Sequence, residues 1–109
     1  GASSNWEGAN LKGADFTGAV LDRADFTAGN LDGAQMDRTE LTKAAFMEAS
    51  LEKTSLMEAN LFEAAFERAN LTEAFLCRAN LCGADFWDAT LTGTNLLDAN
   101  LDNTQLEKI

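Results

Sequence analysis

The side chains able to carry chemistry in this 109-residue chain are mostly acids and amides. The sequence has 18 Asp and Glu, 8 Lys and Arg, two cysteines and no histidine. It contains no glycine-rich phosphate loop and no Ser/His/Asp or Cys/His set that would activate a nucleophile. We therefore expect a protein that is not an enzyme, with no catalytic residue, no cofactor and no metal site.

The net charge of -10 bears on the choice of partner. Binding to a nucleic-acid backbone requires clustered Lys and Arg, so direct nucleic-acid binding is not expected, and a basic partner suits the chain better than an acidic one. No run approaches the roughly 18 apolar residues of a membrane span. We expect a soluble chain that does not bind membranes, in a compartment that the sequence does not identify.

The elements that position these side chains follow from a five-residue repeat. Every fifth residue from Trp6 to Leu106 is large and apolar, and this position is named the centre. Two residues earlier, the units from Leu11 onward hold Ala fifteen times, Thr four times and Gly once, at Gly29. Apolar spacings of 2 and 3 fit neither a helix nor a plain strand. They predict short extended segments with one small and one large inward side chain, each followed by a corner.

A second period of twenty residues indicates four segments per coil. Centres twenty residues apart are grouped here as a column. In one column five of the six centres are aromatic: Trp6, Phe26, Phe46, Phe66, Phe86 and Leu106. Residues twenty apart should therefore lie over one another, with the rings stacked. Six of the eight glycines occupy the position two after the centre, as expected of a corner with positive φ. In the same position, charges alternate in sign from coil to coil, as in Lys43/Glu63, Lys53/Glu73, Glu48/Arg68/Asp88/Lys108 and Arg38/Glu58/Arg78/Asp98.

Units such as Ala9-Asn10-Leu11-Lys12-Gly13, Ala14-Asp15-Phe16-Thr17-Gly18, Ala69-Asn70-Leu71-Thr72-Glu73 and Ala84-Asp85-Phe86-Trp87-Asp88 resemble the A(D/N)LXX repeat of the pentapeptide-repeat family. The match covers about residues 5–108, with departures just before the centre at Val20, Ala45, Ala65 and Phe75. The resemblance implies an all-β fold, the right-handed quadrilateral parallel β-helix of that family. At 20 residues per coil this gives about five coils and a length of about 25 Å.

The Asp and Asn residues before the centres could be mistaken for metal ligands. Side chains of this kind usually hydrogen-bond nearby backbone, and a structural use is predicted here. They are Asn10, Asp15, Asp25, Asn30, Asn60, Asn70, Asn80, Asp85, Asn95 and Asn100.

Cys77 and Cys82 occupy equivalent outward positions on adjacent segments. A corner between them should separate their α-carbons beyond the ~7 Å limit of a disulfide, so free thiols are predicted. A C-x4-C pair without histidine or further cysteine is also a weak metal signal.

The residue just after the centre should point outward, yet in the second half of the chain it is often apolar. Clustered exposed apolar side chains usually mark an interface. The predicted interaction patch consists of Met47, Met57, Phe62, Phe75, Cys77, Cys82, Trp87 and Leu97. The leading hypothesis is a non-catalytic structural or protein-interaction module that binds a protein partner or another copy through this patch.

A second hypothesis concerns the acids that the charge ladders do not use. Asp22, Asp25, Asp32, Asp37, Glu40 and Asp102 leave a negative surface. Resemblance to the family implies a role for it, because certain members mimic duplex DNA in shape and charge and so act on DNA gyrase. The alternative is therefore a DNA-mimicking modulator of gyrase or of another DNA-binding protein.

The two ends carry separate expectations. Residues 1–4 are predicted to be a tag remnant or a flexible N-terminus, and residues 5–109 a single β-helix domain. Solenoid ends normally need caps. At the C-terminal end, Leu101, Leu106 and Ile109 have no polar cap after them, which predicts end-to-end association there.

Overall fold

The computed structural model describes residues 3–107. Within that range there is no helix, and the regular structure consists of single-residue parallel β-bridges at every fifth position. Each bridge joins residues twenty apart, from Asn5↔Asp25 and Asn10↔Asn30 at one end to Asp85↔Gln105 at the other. Four bridge series thus alternate around each coil, and the predicted parallel four-sided coil with a twenty-residue register is confirmed.

The corners are tight turns closed by the centre carbonyl. In one example the Ala14 amide donates to the Leu11 carbonyl at 3.0 Å, across the two residues between them. The second of those two residues has positive φ, +70° at Gly13, and positive φ at this turn position alone is typical of a type II turn. The six corner glycines are as predicted. Charged residues adopt the same conformation, for example Lys43 at +60° and Arg68 at +59°.

The core is a stack of columns. Phe26, Phe46, Phe66 and Phe86 lie over one another with centroid separations of 5.1, 4.9 and 4.9 Å and ring planes within 8° of parallel. Trp6 continues the stack at 6.3 Å from Phe26. The four phenylalanines are essentially inaccessible to solvent, which contributes about 1.5–3 kcal/mol each. The predicted ring stack is therefore confirmed.

Backbone hydrogen bonds join each coil to its neighbours. The Leu11 amide donates to the Asn30 carbonyl at 2.7 Å, and the Asn30 amide donates back to the Ala9 carbonyl at 2.9 Å. The Gly13 amide donates to the Asp32 carbonyl at 2.9 Å. Together with the turn bond, these contacts use four of the five amides of a unit. The fifth amide, one residue after the centre, must find its acceptor elsewhere.

The outward charges pair in part as expected. Lys43 Nζ lies 3.8 Å from Glu63 Oε1, Arg68 Nε lies 3.4 Å from Glu48 Oε2, and Arg78 Nε lies 3.4 Å from Glu58 Oε2. No ion pair within 4.0 Å joins Lys53 to Glu73 in the described part of the chain, and Lys108 lies outside it. Each observed pair is about half exposed and contributes ~0–1 kcal/mol.

The N-terminal coil begins earlier than expected. The Ser3 amide donates to the Asp22 carbonyl at 2.7 Å, and the Ser4 carbonyl accepts from the Asp25 amide at 2.9 Å. Ser4 Oγ also accepts from Trp6 Nε1 at 2.9 Å. These two serines are therefore part of the first coil, while Gly1 and Ala2 of the predicted extension lie outside the described residues, as does Ile109.

Candidate interaction surfaces

In units that have Asp or Asn before the centre, that side chain caps the fifth amide. Asp15 Oδ1 accepts from the Thr17 amide at 3.0 Å, two residues on, and Asn80 Oδ1 accepts from the Cys82 amide at 3.1 Å. All ten Asp and Asn residues singled out in the sequence make this bond. Their predicted structural use is confirmed, and it explains the repeat: the amide has no backbone acceptor, so the side chain supplies one.

Two of these caps shift the acidity of the aspartate. The Thr27 hydroxyl and then the Thr27 amide lower the pKa of Asp25 below its ordinary value of 3.8, because both donate to the ionised form. The pKa of Asp15 is lowered by the Thr17 amide first and the Thr17 hydroxyl second. Both carboxylates therefore stay charged to a lower pH than an ordinary aspartate does.

Where the unit lacks Asp or Asn, the cap can come from the preceding coil, a feature that the sequence analysis missed. Asp32 Oδ1 accepts from the Glu52 amide at 3.0 Å and from the Ser50 hydroxyl. Two further cross-coil caps join Asp22 Oδ1 to the Thr42 amide at 3.0 Å and Asp37 Oδ1 to the Met57 amide at 3.1 Å. A serine before the centre with an aspartate eighteen residues earlier, as in Ser50/Asp32 and Ser55/Asp37, is the sequence signal that could have found two of them.

The candidate acidic surface is thus largely a set of caps. Four of its six members, Asp22, Asp25, Asp32 and Asp37, accept backbone hydrogen bonds. Glu40 Oε1 accepts from Asn60 Nδ2 at 3.2 Å, and Asp102 is exposed. Five of the six acids on which the DNA-mimic hypothesis rests therefore make hydrogen bonds within the fold.

The candidate apolar patch is densest on one side of the coil. Phe75 is 44% exposed and Leu97 62% exposed, and Met57 lies in the same column as Leu97. Cys77, expected to point into solvent, is only 8% exposed because its column neighbours Met57 and Leu97 lie one coil to either side. The thiol is therefore covered rather than displayed. Phe75, Leu97 and Met57 are named the apolar strip.

The other patch residues lie on different sides. Phe62 and Cys82 are half-buried neighbours in the adjacent column, linked through the Glu63 amide, which donates to the Cys82 carbonyl at 2.8 Å. Met47 and Trp87 are ten residues, or half a coil, out of register with Met57 and Leu97. They therefore belong to the opposite side, and the eight residues do not form one continuous surface.

Beside Met47 and Trp87 lies a groove of about 320 Å³. The sequence analysis named only these two of its residues. The remaining lining is polar: Glu67, Arg68, Asp85, Gln105 and Glu107. Its residues come mainly from two columns of one side of the coil: Met47, Glu67, Trp87 and Glu107 just after the centre, and Asp85 and Gln105 just before it.

Two family profiles match the sequence. The profile described as pentapeptide repeats matches residues 59–96 and 79–108, with 8 copies, and the profile described as a pentapeptide repeat region matches residues 2–76. The second match alone spans more than half of the chain. This chain belongs to the pentapeptide-repeat family.

Solved pentapeptide-repeat structures share this fold. The chain is 35% identical to a pentapeptide repeat protein from the Arabidopsis thaliana thylakoid lumen, with a TM-score of 0.91 over 93% of this chain and 70% of that one. It is 34% identical to HetL, involved in heterocyst differentiation regulation in the cyanobacterium Nostoc sp. strain PCC 7120, with a TM-score of 0.64. That match covers 81% of this chain but 41% of HetL.

A more distant likeness supports the fold alone. A trypsin-treated variant of QnrB1, a plasmid-mediated fluoroquinolone resistance protein, is 21% identical with a TM-score of 0.61, covering 98% of this chain and 60% of that one. No curated protein shows significant similarity to the sequence.

The remaining chemistry of this pentapeptide-repeat chain is sparse. Cys77 and Cys82 are free thiols. Within residues 3–107, no group of three or more His, Cys, Asp or Glu side chains is placed to hold a metal ion, and no helix is long and apolar enough to cross a membrane.

Leu101 and Leu106, for which end-to-end association is predicted, are 39% and 43% exposed, and that contact stays a prediction.

Proposed function

We propose that this chain is a non-catalytic interaction module that binds a protein partner through the apolar strip. The observation that carries the proposal is the exposure of Phe75 and Leu97 on one side of the coil, with Met57 in the same column. Exposed apolar side chains gathered on one side of a soluble fold favour an interface. Aromatic residues and methionine are also enriched in the cores of interfaces.

The position of Phe75 strengthens the proposal. In most units this position holds Asp or Asn, which caps the amide two residues on. Among the described residues the Cys77 amide has no hydrogen-bond acceptor, and phenylalanine cannot supply one. Leaving a polar group unpaired out of water costs about 1–3 kcal/mol. The fold gains nothing visible from this phenylalanine, so a role outside the fold accounts for it best.

The test replaces Phe75 and Leu97 with residues that this chain already has at equivalent positions of other units. Phe75→Asn introduces the residue found at Asn95, one coil on, and Leu97→Thr introduces that of Thr17 in the same column. We expect the double variant to unfold at the same urea concentration as the wild type or at a higher one, since the introduced asparagine can cap the Cys77 amide. Binding should fall at least about tenfold, a loss typical of interface anchors.

Binding is measured by comparing wild-type and variant chains in quantitative pull-downs from the source organism and in sedimentation equilibrium. Val20→Asn is the matched control, because Val20 is 57% exposed at the same unit position but lies outside the strip. Equal recovery of every bound protein, and an equal mass in solution, for wild type and double variant would exclude the strip as the interface.

The DNA-mimic hypothesis is the weaker one, since Lys43, Arg68 and Arg78 neutralise acids on the surface and the Cα extents of 27 × 20 × 20 Å offer little length for mimicry of a duplex. Its assay is gyrase supercoiling with the protein added. Inhibition or protection that is lost when Glu40 and Asp102, the two exposed acids of the candidate acidic surface, are changed to Gln and Asn would favour it. An unchanged supercoiling rate at high micromolar protein would remove it.

We also infer the finer features of the fold from the family. A right-handed coil of about five turns fits the twenty-residue register and the 27 × 20 × 20 Å extents of the Cα atoms. A crystal structure would decide both the hand and the number of turns.

A further inference from the structure

The groove beside Trp87 is lined by two residues, Met47 and Glu67, whose backbone amides are not capped. At Ala45 and Ala65 the unit lacks the side chain that normally caps the amide after the centre. The Met47 and Glu67 amides accordingly have no acceptor within residues 3–107. Met47, Glu67 and Trp87 follow one another in a single column, and all three line the groove.

Glu67 is the unusual residue of this groove. Its Oε1 atom is buried and has no hydrogen-bond partner among the described residues. A carboxylate held partly out of water without a donor is poorly compensated, and a cation beside it is screened less than on an open surface. The Glu67 side chain as a whole is half-buried and lines the groove.

The lining has the electrostatic character of a cation site. Three carboxylates, those of Glu67, Asp85 and Glu107, face one guanidinium, that of Arg68. Arg68 is already paired, with its Nε 3.4 Å from Glu48 Oε2, and its Cζ lies 5.7 Å from the centre of the Trp87 ring. The indole at this groove therefore already serves as a surface for a cation, which is the usual behaviour of tryptophan.

We propose that this groove binds a lysine or arginine side chain of a protein partner, with the Glu67 carboxylate as its counter-ion and Trp87 as its wall. An organic cation fits better than a metal ion, because the described acids do not come together in a set of three that could coordinate a metal. A groove of about 320 Å³ exceeds the volume of a single basic side chain, so adjoining atoms of the partner also fit within it. The net charge of -10 would favour approach of a basic segment.

This inference rests on the proposed function for the existence of a partner, but its test does not. The probe is the tripeptide acetyl-Gly-Arg-Gly-amide, followed by ¹H–¹⁵N correlation spectra of the full chain. The Trp87 indole signal should move saturably, while the Trp6 indole, bonded to Ser4 Oγ inside the first coil, should stay in place. The citrulline tripeptide, which has nearly the same shape without the charge, should bind at least about fivefold more weakly.

Glu67→Gln is the decisive variant, because it keeps the size of the side chain and removes its charge. We expect it to weaken binding of the arginine tripeptide at least about fivefold. Glu52→Gln, at the same position of a unit on another side, should bind as the wild type does, and dispersed spectra of both variants would show that they are folded. Equal shifts from arginine and citrulline tripeptides, or unchanged binding by Glu67→Gln, would overturn the inference.

The groove and the apolar strip lie on opposite sides of the coil and can fail separately. If the tripeptide binds the groove while the strip variants retain every partner, the groove is supported as a cation site and the apolar strip is excluded as the interface. If the strip variants lose a partner and the tripeptide does not bind, the apolar strip is supported as the interface and the groove is excluded as a cation site.

Discussion

At the scale of the residue, the fold depends on supplying an acceptor to one amide in five. Within residues 3–107, eleven Asp and Asn side chains do so within their own unit, and Asp22, Asp32 and Asp37 do so across coils. Carboxylates used in this way must be ionised to accept most strongly. For Asp15 and Asp25, whose pKa values are lowered in the folded chain, protonation links the stability of the coil to pH.

In the double variant Asp15→Asn and Asp25→Asn, the free energy of unfolding should fall less steeply at acid pH than in the wild type. Both pKa values are lowered in the folded chain, so the extra stability is fully present above the ordinary value of 3.8 and is lost as pH falls through the lower folded values. Asparagine offers the same Oδ1 without titrating, as at Asn30. Urea unfolding between pH 2 and 7 checks this. A variant that loses stability below pH 4 as steeply as the wild type would contradict it.

At the scale of the element, the corner is the strained part of each unit. Every corner position within residues 3–107 has positive φ, including Ala28 at +59°. The sequence there reads Thr27-Ala28-Gly29-Asn30, so its glycine comes one residue after the corner position. An L-residue other than Asn, Asp or Gly is disfavoured there by roughly 1–2 kcal/mol. Gly29 itself has no positive φ, so its flexibility is not used by the turn.

Ala28→Gly should therefore raise the free energy of unfolding by about 0.5–1 kcal/mol, the relief of strain being partly offset by the greater freedom of glycine in the unfolded chain. Thermal and urea unfolding measure it. Ala45→Gly is the matched control, since Ala45 lies outside the positive-φ region and should lose about 0.5–1 kcal/mol. An Ala28→Gly variant less stable than the wild type would show that the corner is not strained.

At the scale of the whole molecule, the coils form a column in which each contacts its neighbours. The middle of the phenylalanine stack is fully buried, whereas Leu101 is 39% exposed. In such quasi-one-dimensional folds the energy of a coil depends on the interfaces on both of its sides. A cavity in a middle coil should weaken the interfaces with both neighbouring coils. A cavity in the last described coil should weaken only one interface, which is already partly exposed to solvent.

Phe66→Ala should accordingly cost about 3–5 kcal/mol, and Leu101→Ala less than about 2 kcal/mol. Urea unfolding of the two variants beside the wild type gives the comparison. Similar losses for the two would mean that the last coil is as tightly packed as the middle, contrary to the exposure of Leu101.

Much of this organisation is predictable from the repeat. The inward columns, the ring stack, the corner glycines and the Asp/Asn caps all follow from periods of five and twenty, because side chains stacked in register must match one another. The cross-coil caps of Asp22, Asp32 and Asp37 depend on which hydroxyls and amides lie within reach, which periodicity does not determine. The burial of Cys77 and the groove beside Trp87 likewise depend on side chains of neighbouring coils, which periodicity does not specify.

The parallel bridges between residues twenty apart govern which changes of length the chain tolerates. Removing one pentapeptide would leave the backbone ladder intact but rotate everything downstream by a quarter turn, setting leucines beneath phenylalanines. Removing four would return every side chain to its own column. Lineages of this protein should therefore gain and lose sequence in whole coils.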